Sequence, residues 1–196
     1  RTVNSRLLPS LVSDVAPKSL KSIFVEPLLS KVSQRKIDAS GKNGSDGLFV
    51  PLKEVLQLER SLVFLGNRDI GKTTLLHRIC QLSLEFGAAG LPPFGTYINL
   101  GIAGDTQASL LDSVVSFGGG EYRKSEIITF LNQGAVSVCF DNLDEQRHKQ
   151  FKAVREFCQT FKHCRYHFTM LEDVDYSLSP AQVPKLVADA EVFYLH

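Results

Sequence analysis

The run SLVFLGNRDIGKTTLL, residues 61–76, decides the fold. Within it, Gly66-Asn67-Arg68-Asp69-Ile70-Gly71-Lys72-Thr73 fits the phosphate-loop pattern G-x-x-x-x-G-K-[ST] at every required position. Leu62-Val63-Phe64-Leu65 ahead of it is a short apolar run of β type, and Leu75, Ile79, Leu82 and Phe86 after it recur at helical spacing. A strand, a loop and a helix in that order turn the backbone amides of the loop and helix start toward an anion, while the glycines let the chain curl without a Cβ clash. The chemistry expected is a nucleoside triphosphate held with Mg²⁺. Residues 66–73, with Thr74 as an adjacent hydroxyl, form the nucleotide-binding set. Lys72 is expected to reach the β- and γ-phosphates, and Thr73 to join the Mg²⁺ shell. Arg68 and Asp69 are unusual inside such a loop: either they pair with each other, or Asp69 repels phosphate.

Bulk composition limits the alternatives. The 196 residues suit one α/β domain with an extension. With 22 basic and 21 acidic residues the net charge is +1, which offers no general attraction to nucleic acid or acidic membrane. No apolar run approaches the ~20 residues that span a bilayer, and no signal peptide is visible. The chain starts at Arg1 and its only methionine is Met170, so it reads as a piece or processed product of something longer. Cys80, Cys139, Cys158 and Cys164 form no C-x-x-C pair and read as reduced thiols packed in a cytoplasmic protein. A metal cluster from His163, Cys164 and His167 would straddle a loop and a strand and lack a fourth ligand.

Along the chain, residues 1–47 read as an N-terminal lead-in and flexible linker, and 48–196 as the core. Within the lead-in, residues 20–32 (LKSIFVEPLLSKV) are apolar enough to dock on that core, whereas 33–47 are polar and rich in Gly and Ser. In the core, a helix runs from the loop to about Phe86 and stops at Gly87. A strand follows at 95–102, then a helix capped by Asp105 or Thr106 and ended by the glycines at 118–120. Next come a helix near 124–132, a strand at 135–140, a long helix bearing Phe151, Val154, Phe157, Cys158 and Phe161, a strand at 165–171, and a last strand at 190–195. Such alternation predicts a three-layer α/β fold, its mostly parallel central sheet covered by helices on both faces.

The strand AVSVCF runs into Asp141-Asn142-Leu143-Asp144-Glu145. Parallel strands end on one edge, so Asp141 is expected beside the loop, orienting Mg²⁺. Glu145, with Asp144, stands where a carboxylate can take a proton from an attacking water. An acidic run of this kind also favours a helix N-terminus, which is the plainer explanation of the same residues. The strand at 95–102 between the two motifs, together with the downstream acid, favours P-loop ATPases with an extra central strand (the ASCE type) over small GTPases. The guanine-reading N-K-x-D pattern is absent.

These residues resemble a NACHT-type P-loop NTPase domain of the STAND signalling ATPases. The family's acidic motif is an apolar strand followed by D-small-apolar-D-E, and residues 141–145 match it except that Asn142 replaces Gly, Ala or Ser. The loop with Thr74-Leu75-Leu76 is similar to the family's first motif, and Phe24-Val25-Glu26-Pro27 resembles a lead-in found ahead of some members. The resemblance spans about residues 20–196 and implies an ATP/ADP switch controlling signalling or oligomerisation in a larger defence protein. It further implies partner domains in that protein and self-association on activation. One departure affects hydrolysis. The family ends its fourth strand with a T-S-R-like sensor, and here Thr169 is followed by Met170 and Leu171, which cannot donate a charge-assisted hydrogen bond. Weak turnover is therefore expected, or an arginine supplied by a neighbouring subunit.

Two other readings stay open: a nucleotide-stabilised scaffold without useful hydrolysis, and a nucleic-acid-associated remodelling ATPase. For the latter, the basic residues Arg147, His148, Lys149 and Lys152 are more simply a solvated helix face. ATP is preferred over GTP through the resemblance, and GTP stays open because loop contacts stop at the phosphates.

Overall fold

The computed structural model describes residues 24–33, 37, 49–85, 92–144, 146–172 and 186–196. The linker stretch after Ser33 (Ile37 apart), the core start at Leu48, the helix stop at Gly87 and the carboxylate Glu145 lie outside them. The described elements are β1 (Leu29–Ser30), β2 (Phe49–Val50), α1 (Leu52–Leu56), β3 (Leu62–Gly66), α2 (Lys72–Leu84) and β4 (Phe94–Asn99). They continue with α3 (Gln107–Phe117), α4 (Lys124–Asn132), β5 (Val136–Asp141), α5 (His148–Thr160), β6 (Arg165–Leu171) and β7 (Glu191–Leu195).

The strands form one sheet in the order β2-β1-β7-β3-β6-β5-β4. From β7 to β4 all pairs are parallel, and β1 is antiparallel to both β7 and β2. Both β3 and β5 are buried along their whole length, as a parallel strand covered on two sides must be, which explains a mostly apolar sequence, broken in β5 by Ser137 and ended there by Asp141. This is the P-loop NTPase fold of the extra-strand type. The extra strand in space is β6, seated between β3 and β5; the run that intervenes in sequence, β4, lies beyond β5 at the sheet edge. Helical crossovers let the chain skip a position, so order along the sequence does not set order across the sheet.

Two apolar clusters cover the sheet. Leu110, Val114, Ile127, Leu131, Val154 and Phe157, from α3, α4 and α5, pack on one face against Val138, Phe140 and Phe168. On the other face, Val55, Leu56, Leu75, Leu76 and Ile79, from α1 and α2, pack against Leu62, Phe64 and Phe193. The lead-in enters this second cluster: Leu29 has no exposed surface, and Glu26 Oε1 accepts the Leu52 N–H at 2.6 Å, capping α1 where Pro51 has no side chain to do so. Helix α3 starts at the Thr106 cap, whose hydroxyl accepts from Ser109 N while Ser109 Oγ accepts from Thr106 N, each at 3.2 Å. Among the described residues no helix is long and apolar enough to cross a membrane.

Close approach matters at Gly95. A Cβ there would stand 2.8 Å from both Cα and O of Cys80, so β4 touches the backbone of α2. Gly95→Ala is expected to destabilise the fold by about 1–3 kcal/mol, read as a lowered urea midpoint, because both obstructing atoms are main chain.

His167 sits under α2 in β6 with no exposed surface, and neither ring nitrogen has a hydrogen-bond partner. Burial, with the Arg165 charge adding to it, pushes its pKa from 6.5 down to about 3. The unfolded chain therefore binds a proton below about pH 6.5 that the fold refuses until about pH 3. The contribution is full above the higher value and is lost as pH falls toward the lower. His167→Leu should remove about 2 kcal/mol of the stability loss between about pH 6.5 and pH 4.5, flattening that part of the pH–stability curve.

Candidate functional site

The loop after β3 closes on Gly71, which has φ +92° and so adopts a conformation that suits glycine; α2 starts at the next residue. Asp69 is also left-handed, at φ +60°, which an aspartate tolerates better than most side chains. Arg68, Asp69, Gly71, Lys72, Thr73 and Thr74 line a cavity of about 470 Å³, whose far wall is Asn142 and Leu171. Gly66 and Ile70 stand behind this lining: Ile70 packs toward the second apolar cluster, and its Cγ2 would lie 3.0 Å from a Cβ on Gly66. No ion pair joins Arg68 to Asp69, both of which are exposed.

Lys72 folds over the loop. Its ammonium donates to Gly66 O at 2.8 Å and to Asn67 O. Burial lowers its pKa from 10.5, partly offset by the negative charges of Asp141 and Asp69. Asp69 thus acts through Lys72, helping to keep the ammonium charged.

Asp141 ends β5 and is 1% exposed. A carboxylate buried this deeply needs its lone pairs satisfied, and four donors do so. Thr73 Oγ1 and Tyr97 Oη each donate to Oδ2 at 2.7 Å; Thr169 Oγ1 and the Asn142 N–H donate to Oδ1, the latter at 3.0 Å. The structure therefore brings the loop threonine and the strand-end aspartate into direct contact across β6. A helix-cap explanation of the acidic run does not describe this arrangement, since α5 starts only at His148 with Arg147 before it. Asn142 has φ +60°. That conformation favours Gly or Asn, so the asparagine meets the same backbone demand as a small residue.

Asp144 points elsewhere. Its Oδ1 accepts the Gln146 N–H at 2.9 Å and its Oδ2 lies 4.0 Å from Arg147 Nε, and it is not part of the cavity lining. Nothing in the described residues places Glu145. In β6, Thr169 reaches Asp141, Met170 is 1% exposed within the core, and Leu171 is 45% exposed on the cavity wall. His163, Cys164 and His167 do not gather: Cys164 Sγ bonds to Leu131 O at 3.1 Å, and no cluster of three or more His, Cys, Asp or Glu suited to a metal ion occurs among the described residues. All four cysteines are buried and free.

Sequence reasoning missed Tyr97. It lies on β4, whose register sets Asn99 opposite Asp141 and Tyr97 opposite Cys139, on the face toward α2. The His77 ring stacks on it with centroids 4.2 Å apart and planes at 26°. Burial and the Asp141 carboxylate both raise the Tyr97 pKa, so the phenol stays a donor, and burial lowers that of His77 against the pull of Asp141. The signal in the sequence is alternation: in a strand parallel to β5, Gly95, Tyr97 and Asn99 share one face and run toward the edge where Asp141 ends.

No protein-family model matches the chain, and no curated protein sequence matches it. Among solved structures it is similar to the DnaC helicase loader, at 13% identity and a TM-score of 0.41, covering 74% of this chain and 86% of that one. It is also similar to C. elegans PCH-2, at 13% identity and a TM-score of 0.36, covering 72% of this chain and 37% of that one. Likeness this distant carries nothing about function; strand order and register define the fold.

The left-handed turn at Asn142 is open to test. Asn142→Gly should keep the unfolding free energy from urea titration within a few tenths of a kcal/mol of wild type, while Asn142→Val should cost about 1–3 kcal/mol, because a β-branched residue is strained at that φ.

Proposed function

We propose that the chain is a nucleotide-binding switch domain that takes ATP with Mg²⁺ and hydrolyses it slowly, as part of a larger signalling or defence protein. The 2.7 Å hydrogen bond from Thr73 to Asp141 carries this reading, because it joins the phosphate loop to the acid that such chemistry requires at one sheet edge. Both side chains offer the hard oxygen atoms that Mg²⁺ prefers, and Mg²⁺ is commonly held by one or two protein oxygens plus phosphates and water. When bound, the cation neutralises phosphate charge. The chain's own residues supply the rest. Amides of the loop and α2 start face the anion, Lys72 exchanges its two carbonyl partners for phosphate oxygens, and Glu145 accepts a proton from the attacking water.

Slow turnover is supported by β6. Where a sensor cation is expected, Met170 is buried in the core and Leu171 presents an apolar side chain to the cavity. An arginine from a neighbouring copy would supply the missing donor, which ties hydrolysis to self-association. The signalling and defence role, the partner domains and the cytoplasmic setting rest on the D-x-x-D-E resemblance, with the four free thiols agreeing with a reducing compartment. Leu171 equally favours a second reading, a nucleotide-stabilised scaffold without useful hydrolysis. A remodelling role on nucleic acid has weaker support. The basic group at the start of α5 is solvent-exposed, and Lys152 lies 3.8 Å from Glu156.

Calorimetry with ATP, ADP and GTP in Mg²⁺ tests the proposal. Binding is expected for the wild type and a loss of at least about ten-fold for Lys72→Ala, which removes charge-assisted bonds to phosphate. Glu145→Gln should bind ATP normally and lose what turnover there is, whereas a scaffold would show no change. Absence of any nucleotide binding overturns the proposal, and turnover on the order of tens per second, within the range of efficient phosphoryl-transfer enzymes, overturns its slow step.

A further inference from the structure

We infer that Tyr97 is a gate on the metal side of the site: its hydroxyl occupies the Asp141 lone pair that the cation, or water bound to it, must take over. This rests on the nucleotide-binding reading above and goes beyond it by assigning the metal side a residue outside both motifs.

A carboxylate has about four lone-pair positions, and the donors on Asp141 fill them. Three of these donors are compatible with a bound cation. The Asn142 N–H is main chain, and Thr169 is held within β6, where its oxygen also accepts the Asn142 N–H at 3.0 Å. A hydroxyl carries one proton and two lone pairs, so Thr73 can keep donating to Oδ2 while its oxygen serves a metal. Tyr97 is the donor that stands in the way. Besides Tyr97, the carboxylate is held by the two donors on Oδ1 and by Thr73 on Oδ2.

Tyr97 is also built to hold its place. Residues 73 and 77 are one turn apart on α2, so the helix that presents Thr73 also presents the His77 ring stacked on Tyr97. Occupation of the site and release of the Tyr97 hydroxyl are thereby linked through one helix face. Gly95, two residues before Tyr97 on the same strand face, brings β4 against α2 closely enough for this stack to form.

The test is the Mg²⁺ dependence of nucleotide binding, not turnover. Anisotropy of a fluorescent ATP analogue is titrated across Mg²⁺ concentrations, starting in EDTA, for wild type, Tyr97→Phe and His77→Ala. Tyr97→Phe should bind the analogue like wild type in EDTA and need about ten- to hundred-fold less Mg²⁺ for half-maximal enhancement, the scale of one hydrogen bond to a charged group. His77→Ala keeps the hydroxyl but loosens the ring, and should shift in the same direction by less; it decides the matter if Tyr97→Phe does not fold. An unchanged or increased Mg²⁺ requirement with binding retained overturns the gate alone, the increase marking Tyr97 as a positioning donor. A wild type that binds no analogue with or without Mg²⁺ overturns the functional reading and the gate together.

Discussion

A carboxylate with almost no solvent contact organises one whole edge of this molecule. Burying Asp141 at the end of β5 would be prohibitive without compensation, and the compensation comes from segments distant in sequence: the start of α2, the middle of β4, the end of β6 and the next main-chain amide. Because those segments meet on one side chain, drift of the phosphate loop from the acidic segment would leave a lone pair of a buried carboxylate unpaired. The parallel sheet makes the meeting affordable, since the loop and the acid both leave strands at the same end.

The insertion of β6 between β3 and β5 has chemical consequences. It separates the loop from the acid by one strand, and it supplies Thr169, which bridges Asp141 and the turn that follows. Leu143 N bonds to Thr169 O at 2.9 Å and Glu172 N to Gly66 O at 3.1 Å, so the turns beyond the strand ends are stitched across the edge. The same strand puts an apolar Leu171 on the cavity wall. The Asp141 side of the cavity is thus densely hydrogen-bonded, while the end of β6 offers it an apolar side chain and no cation.

Much of this was legible in the residues. The loop could be read because its glycines, lysine and threonine are demanded by local backbone geometry and by chemistry at fixed spacing. Strands β3 and β5 could be read because two-sided burial leaves a run that is apolar at nearly every position, and α4 and β6 because their apolar residues keep period. Less legible was the αL turn at Asn142, which looks like a departure from a pattern until its φ shows that asparagine serves where glycine would. Asp144 reads as a second acid of the site, yet a local hydrogen bond to Gln146 N turns it toward the start of α5. Such short-range competition for an aspartate is decided by turn geometry, not by composition.

Sequence by itself determined that a phosphate cradle follows a buried strand, that a carboxylate terminates another, and that helices alternate with both. Those features depend on a few neighbouring residues and on periodicity. Only the tertiary structure decided which strand lies between them, that β4 is the edge, and that Tyr97, with His77 stacked on it, reaches Asp141. Strand order, register and a ring stack between a helix and a strand are set by packing among segments far apart in the chain, and no local pattern records which of several compatible partners a side chain will meet.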